Sequence, residues 1–167
     1  MVEKAKIALG GGCHWCTEAV FQSLIGVTKV DQGYVASINE NSTFSEAVIV
    51  HFNSNQIVLK TLIEIHLHTH KSTSNHSMRE KYRSAVYTFS VEQERHCNSI
   101  IEELQKDFNN KLITNVYPFK TFKTSREAIQ NYYQKKSNKP FCETYINPKL
   151  RLLQKQFSAY INHELAQ

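Results

Sequence analysis

Three consecutive glycines, Gly10-Gly11-Gly12, separate the apolar run Ile7-Ala8-Leu9 from helix-forming residues that begin at Cys13-His14-Trp15-Cys16-Thr17-Glu18. An apolar segment running into glycines reads as a strand that ends in a turn, and this turn must deliver the chain into a helix at once. The fold therefore starts as strand, tight turn, helix. Cys13 falls at or beside the helix N-terminus, where unpaired backbone N–H groups and the helix dipole favour negative charge. The thiolate is the nucleophilic form of cysteine, and such a position lowers a thiol's pKa. Glycines also let backbone approach a ligand closely. Cys13 is accordingly read as a reactive thiol and not as an inert buried one.

The remaining pattern alternates strands with helices. Residues 4–10 read as a strand and 16–25 as a helix stopped by Gly26. Val27 to Tyr34 and Phe44 to Phe52 read as strands, and Val58 to His66 as a helix with Leu59, Leu62, Ile63 and His66 on one face. Residues 67–81, dense in His, Ser and Asn, read as a loop. Tyr82 to Phe89 reads as a strand. Ser90, with Gln93 at the capping-box position, opens a helix reaching Phe108. Leu112 to Phe119 follows as a strand, then helices over Ser125 to Lys135 and Pro148 to Leu165. Helices falling between strands predict an α+β sandwich, a sheet covered by helices. At 167 residues, one domain over 1–167 is expected.

Composition narrows the functional classes. The net charge of +5 is spread along the chain with only short clusters such as Lys135-Lys136, which fits a solvated surface and not a nucleic-acid surface. No apolar run approaches the ~18 residues of a membrane span. Met1 to Lys6 is charged and lacks a signal-peptide apolar core, so a cytoplasmic location is expected. In that compartment Cys13, Cys16, Cys97 and Cys142 are catalytic, redox-active or buried, not a disulfide framework.

Around Cys13 several roles stay open on the residues alone. Cys16, three residues on, shares a helical face with it, so a disulfide or thiol exchange is geometrically accessible; a small buried residue is the plainer reading. A zinc site needs a second pair of ligands, and there is no second C-x-x-C. Glu18 is either a first-turn charge that suits the dipole or, beside Trp15, a proton donor with a raised pKa. Trp15, the chain's one tryptophan, is either core or the wall of a substrate pocket. His14 is adjacent to Cys13 in sequence, but adjacent residues do not share a helical face, which argues against it as the base for Cys13. His66, His68, His70 and His76 lack a carboxylate or cysteine in the same loop, so a polar loop is expected there and no metal or cofactor.

The segment Gly11-Gly12-Cys13-His14-Trp15-Cys16-Thr17-Glu18-Ala19-Val20-Phe21 closely resembles the Gly-Cys-Phe-Trp-x-x-Glu signature of peptide methionine sulfoxide reductase A. Gly26-Val27 with Gly33-Tyr34, the run Glu46 to Phe52, Lys81 to Tyr87, and Pro140-Phe141-Cys142 through Leu150 resemble further segments of that family in its order. The similarity spans residues 5 to 157. It implies a two-layer α/β sandwich with a ferredoxin-like core and reduction of the S epimer of methionine sulfoxide. Carried over by the resemblance, Cys13 is the nucleophile, Glu18 protonates the sulfoxide oxygen, Tyr34 and Tyr82 hydrogen-bond that oxygen, and Trp15 with His14 lines the S-methyl pocket. Cys16 and Cys142 are the candidate resolving thiols, and Cys97 is structural. The implied partners are methionine sulfoxide in peptides or proteins and a thioredoxin-like dithiol, with the chain a monomer. A general thiol–disulfide oxidoreductase and a non-catalytic binder of oxidised methionine are the competing readings. The chain departs from the family pattern at His14, where Phe is usual, at Ser77 and Arg79, where Asp and Gly are usual, at Ile129 in place of His, and after Tyr34.

Overall fold

The computed structural model describes residues 4–126, 129–136 and 139–162. Strands β1 (Lys4–Gly10), β2 (Val27–Ala36), β3 (Ser45–Asn53), β4 (Ala85–Thr88), β5 (Asn115–Pro118) and β6 (Thr121–Thr124) form a mixed sheet in the order β5-β4-β1-β3-β2-β6. All pairings are antiparallel except β4 with β5. That parallel pair is joined by a crossover through helix α3 (Val91–Leu104), because two parallel strands cannot be linked by a hairpin. Helix α1 (His14–Gln22) links β1 to β2, and α2 (Leu59–Thr69) links β3 to the loop before β4. The order β4-β1-β3-β2 with these two helices is the ferredoxin-like core of an α+β fold.

Period-two alternation decides which residues face the helices. Ile7 and Leu9 of β1 and Val48, Val50 and Phe52 of β3 pack with Val20, Phe21, Leu62, Ile63, Ile100 and Leu104 from the helices in one core. Ala8, Ala47 and Ile49 point to the other face, where they pack with Val35, Ala85 and Tyr87. The Tyr87 hydroxyl is not stranded there: it accepts a 3.0 Å hydrogen bond from the buried Arg83 guanidinium.

Several elements differ from the sequence reading. Helix α2 continues through Thr69, so His68, expected in the loop, lies on a helix. Its extra turn is held by burial of Ile65, Leu67 and Thr69. The strand expected over 82–89 is confined to Ala85–Thr88, because Lys81 to Ser84 make loop contacts to β3. The edge strand β6 has no signal of its own: Phe122 is its one residue packed against the apolar cluster. Of the helix expected over 125–135, the described part is α4 (Tyr132–Lys136), and residues 127–128 lie outside the described residues. A π-helical turn, Cys142–Ile146, leads into α5 (Asn147–Gln156), which stops short of Leu165. The chain after it instead folds back, with Ile25 N–H donating to the Tyr160 carbonyl and Asn162 N–H to Ser23. The Ser90 cap forms as expected, its hydroxyl accepting from Gln93 N–H at 3.1 Å, while the Gln93 side chain reaches back to Phe89 N–H.

Leu9, fully buried between the helices and the sheet, is the last apolar residue before the glycine turn. Leu9→Ala is expected to cost about 2–5 kcal/mol of unfolding free energy, seen in urea denaturation as a lower midpoint at an unchanged m-value.

Candidate active site

The glycine turn is forced by what surrounds it. A side-chain Cβ at Gly10 would lie 3.0 Å from the Arg83 carbonyl and 3.1 Å from that of Glu46. Gly11 has φ of +153°, and a Cβ there would stand 2.5 Å from the His70 ring. That ring is held in place, its Nδ1–H donating to the His66 carbonyl and its Nε2 2.8 Å from the Ser84 hydroxyl. His66 in turn bonds the Gly10 carbonyl through Nε2 at 2.7 Å and stacks on His70. Burial drives His66 down to about 4 and His70 well below the ordinary imidazole value, so both stay neutral hydrogen-bonding spacers. Among the described residues no group of His, Cys, Asp and Glu could hold a metal ion.

The turn delivers Cys13 to the N-cap of α1, where its carbonyl accepts from the N–H groups of Cys16 and Thr17. Its thiol is pulled below the usual value first by a hydrogen bond from the Cys16 thiol, then, against the opposing effect of burial, by the N–H groups of Trp15 and Cys16. Cys16 moves the opposite way: it gives its hydrogen bond to Cys13 and is buried, and both effects raise it. Cys142 is fully buried in the same small cluster as Cys16, packed against Cys13 and Phe141. Cys97 lies in the main core on α3, where burial pushes it up to about 12. None of the four cysteines is joined in a disulfide.

The carboxylate whose charge opposes the lowering of the Cys13 thiol is that of Glu46. Glu46 is Tyr34's cross-strand partner in the β2–β3 register, and both point to the helix-covered face. Its Oε1 lies 3.3 Å from both the backbone N–H and Nε2 of His14. The Tyr34 ring meets the His14 ring edge-on at 5.1 Å. Tyr82 sits on the loop that Ser45, Glu46 and Arg83 tie to β3, with the Lys81 ammonium 5.1 Å over its ring and 3.6 Å from Glu46 Oε2. Trp15 packs edge-on against Phe141 at 5.0 Å. Glu18 instead turns under α1, where its buried carboxylate accepts from Asn131 N–H at 3.0 Å. Its position five residues after Cys13 puts it about 140° around the helix, away from the thiol.

Two basic residues complete the site. Arg79 donates from one nitrogen to the carbonyls of both Gly11 and Tyr82 at 2.8 Å, clamping the thiol's turn to the tyrosine's loop. Lys149, near the start of α5, donates to the Thr69 carbonyl and bears electrostatically on Cys16 and Cys13.

The profile of the family described as "Peptide methionine sulfoxide reductase" matches residues 5–161. The chain belongs to the peptide methionine sulfoxide reductase family. The peptide methionine sulfoxide reductase MsrA of Trichodesmium erythraeum is 34% identical over 167 residues, covering 90% of this chain and 94% of its own. Among solved structures, reduced Mxr1 from Saccharomyces cerevisiae shares the fold at a TM-score of 0.74 and 24% identity, over 86% of this chain and 91% of its own. Mxr1 in complex with Trx2 gives a TM-score of 0.63 at 25% identity, over 78% and 85%.

Within this reductase family site, the structure brings together Cys13, His14, Tyr34, Cys16 and Cys142, and sets Tyr82 beside Glu46 through Lys81. It removes Glu18 from the thiol. The sequence reading missed Glu46, Arg79 and Lys149 as site residues. For Glu46 a signal existed: it stands in phase with Val48, Val50 and Phe52, which marks a carboxylate on the buried face of a strand.

Because the Cys16 thiol supplies the largest effect holding Cys13 down, Cys16→Ala is expected to raise the pH midpoint of Cys13 alkylation by iodoacetamide by about one unit. An unchanged midpoint would show that the α1 amide groups suffice without the second thiol. Mass spectrometry of the native protein should find Cys97 unmodified throughout.

Proposed function

We propose that the chain reduces the S epimer of methionine sulfoxide, free or within proteins, with residues 1–167 acting as one monomeric catalytic domain. The observation that carries this reading is the convergence, in a member of the reductase family, of a helix-N-terminal thiol of lowered pKa with a buried carboxyl group and a tyrosine on one sheet face. Cys13 thiolate attacks the sulfoxide sulfur while a proton goes to the sulfoxide oxygen. The attack forms a sulfur–sulfur bond to Cys13; a second proton lets the substrate sulfur–oxygen bond break with loss of water, and water then adds to the Cys13 sulfur as the sulfur–sulfur bond breaks, giving the thioether reduced by two electrons, a Cys13 sulfenic acid and one returned proton. Sulfoxide oxygen leaves poorly unless protonated, so donors aimed at its developing charge supply the stabilisation.

We assign the proton donor as Glu46, in place of the Glu18 expected from the motif, since Glu46 shares the site with Cys13 and Tyr34. The phenols of Tyr34 and Tyr82 hydrogen-bond the same oxygen, and Trp15 with Phe141 forms the apolar wall for the S-methyl group. Cys16, already hydrogen-bonded to Cys13, is the resolving thiol: it displaces water from the sulfenic acid to form a disulfide. A thioredoxin-like dithiol then reduces that disulfide, as the Trx2 complex of the yeast relative suggests. No described helix is long and apolar enough to cross a membrane. A reducing cytoplasm suits a chemistry that starts from a Cys13 thiolate.

An epimer-resolved assay with a thioredoxin system decides the reading. Turnover confined to the S epimer and abolished by Cys13→Ser is expected; disulfide exchange without sulfoxide turnover would replace it with a general oxidoreductase. Glu46→Gln should lower kcat/KM by about a hundredfold or more, whereas Glu18→Gln should act mainly on stability. The reverse ranking would return the acid role to Glu18. Peptide mapping after one turnover without reductant should recover a Cys13–Cys16 disulfide; a Cys13–Cys142 bridge would move the resolving role to Cys142.

A further inference from the structure

His14 replaces a residue that is usually phenylalanine in this family, and the structure gives the imidazole two fixed polar neighbours where a phenyl ring would have none. Its Nδ1 lies 2.8 Å from the Gly33 carbonyl oxygen. A carbonyl only accepts, so Nδ1 carries the hydrogen. Nε2 then faces Glu46 Oε1 at 3.3 Å. A neutral imidazole with Nδ1–H presents a lone pair at Nε2, and a carboxylate presents only lone pairs. Two buried acceptors at that distance repel unless a proton lies between them. His14 is 3% exposed and Glu46 6%, so water does not relieve the clash.

We propose that His14 and Glu46 hold one proton jointly between Nε2 and Oε1, and that His14 is a positioning residue keeping that proton available at Glu46 for the sulfoxide oxygen. This rests on the function proposed above. With the proton in place the pair carries no net negative charge toward Cys13. That matters because an ionised Glu46 raises the Cys13 thiol. The shared proton therefore lets the thiolate and its proton donor exist in the same microstate. After donation the pair is neutral His14, still bonded to Gly33, beside the Glu46 carboxylate; the proton is recovered from solvent.

The other groups facing the pair come from four elements. Lys81, exposed on the loop before β4, lies 3.6 Å from Glu46 Oε2 and favours the carboxylate once the proton has left. Tyr34 of β2 closes over the imidazole. The Ser125 hydroxyl, after β6, lies 3.5 Å from His14 Nδ1. Cys13 stands at the start of α1. Burial lowers His14 from its ordinary value while Gly33 and Glu46 pull it up, so the proton's resting place belongs to the pair and not to either residue.

Two measurements on the full-length protein test this. Imidazole 15N NMR, with the His14 signals identified by their loss in His14→Gln, reads the pair without reference to turnover. Nδ1 is expected to stay protonated across pH 5 to 9, and the Nε2 titration midpoint is expected to fall by about one unit in Glu46→Gln. In turnover, the descending alkaline limb of kcat/KM is expected about one unit lower in both His14→Gln and His14→Phe, with wild-type circular dichroism. Glutamine can hydrogen-bond but not titrate, so a wild-type pH profile in His14→Gln would overturn the proposal, as would His14 shifts indifferent to Glu46→Gln. Absence of sulfoxide turnover in the wild-type chain would overturn the functional reading instead, while the NMR result would still decide the pair.

Discussion

Everything at the site depends on how closely the backbone at the end of β1 approaches its neighbours. Gly10 passes between the carbonyls of Arg83 and Glu46, and Gly11 lies against the His70 ring. Only a chain without side chains fits through that gap. The closeness has a consequence beyond packing: the strand that carries Glu46, the loop that carries Tyr82 and the helix that starts with Cys13 are all brought to one point. Arg79 reinforces the junction by holding the Gly11 and Tyr82 carbonyls on one nitrogen.

The parts of this arrangement that were legible in the sequence are those governed by local rules. A glycine run between a strand and a helix placed Cys13 at the N-cap, and the Ser90–Gln93 spacing placed the start of α3, because both signals are settled within a few residues. What escaped was set by contacts distant in sequence. Glu18 and Glu46 are both glutamates near an apolar run, and Glu18 is nearer to Cys13 in the chain. Only the β2–β3 register and the direction of α1 reveal that Glu46 stands beside Tyr34 and His14 while Glu18 accepts from Asn131. The extra turn of α2 escaped for a similar reason. His68 and His70 look like loop residues until the Phe108 and Phe157 rings and the Ser84 hydroxyl supply their partners. Edge strand β6 exists because β2 offers it a hydrogen-bonding edge, a property of β2 and not of Thr121–Thr124.

The chemistry of the site follows from asymmetry between like groups. Cys13 and Cys16 are both thiols on the first turn of α1, yet one is lowered and the other raised, largely by a single hydrogen bond from the second to the first. In the mechanism proposed above, that bond favours charge on Cys13 and keeps the proton on Cys16 while Cys13 is reduced. It also sets the order of events. The largest effects raising Cys16 come from its bond to Cys13, from burial and from the charge on Cys13. In the proposed cycle, oxidation of Cys13 to a sulfenic acid removes that charge and changes the acceptor, so two of the three are relaxed when Cys16 is to act as the resolving thiol. The Lys149 ammonium, which favours charge on Cys16, is unaffected by that change. In the proposed cycle the first step thereby prepares the second.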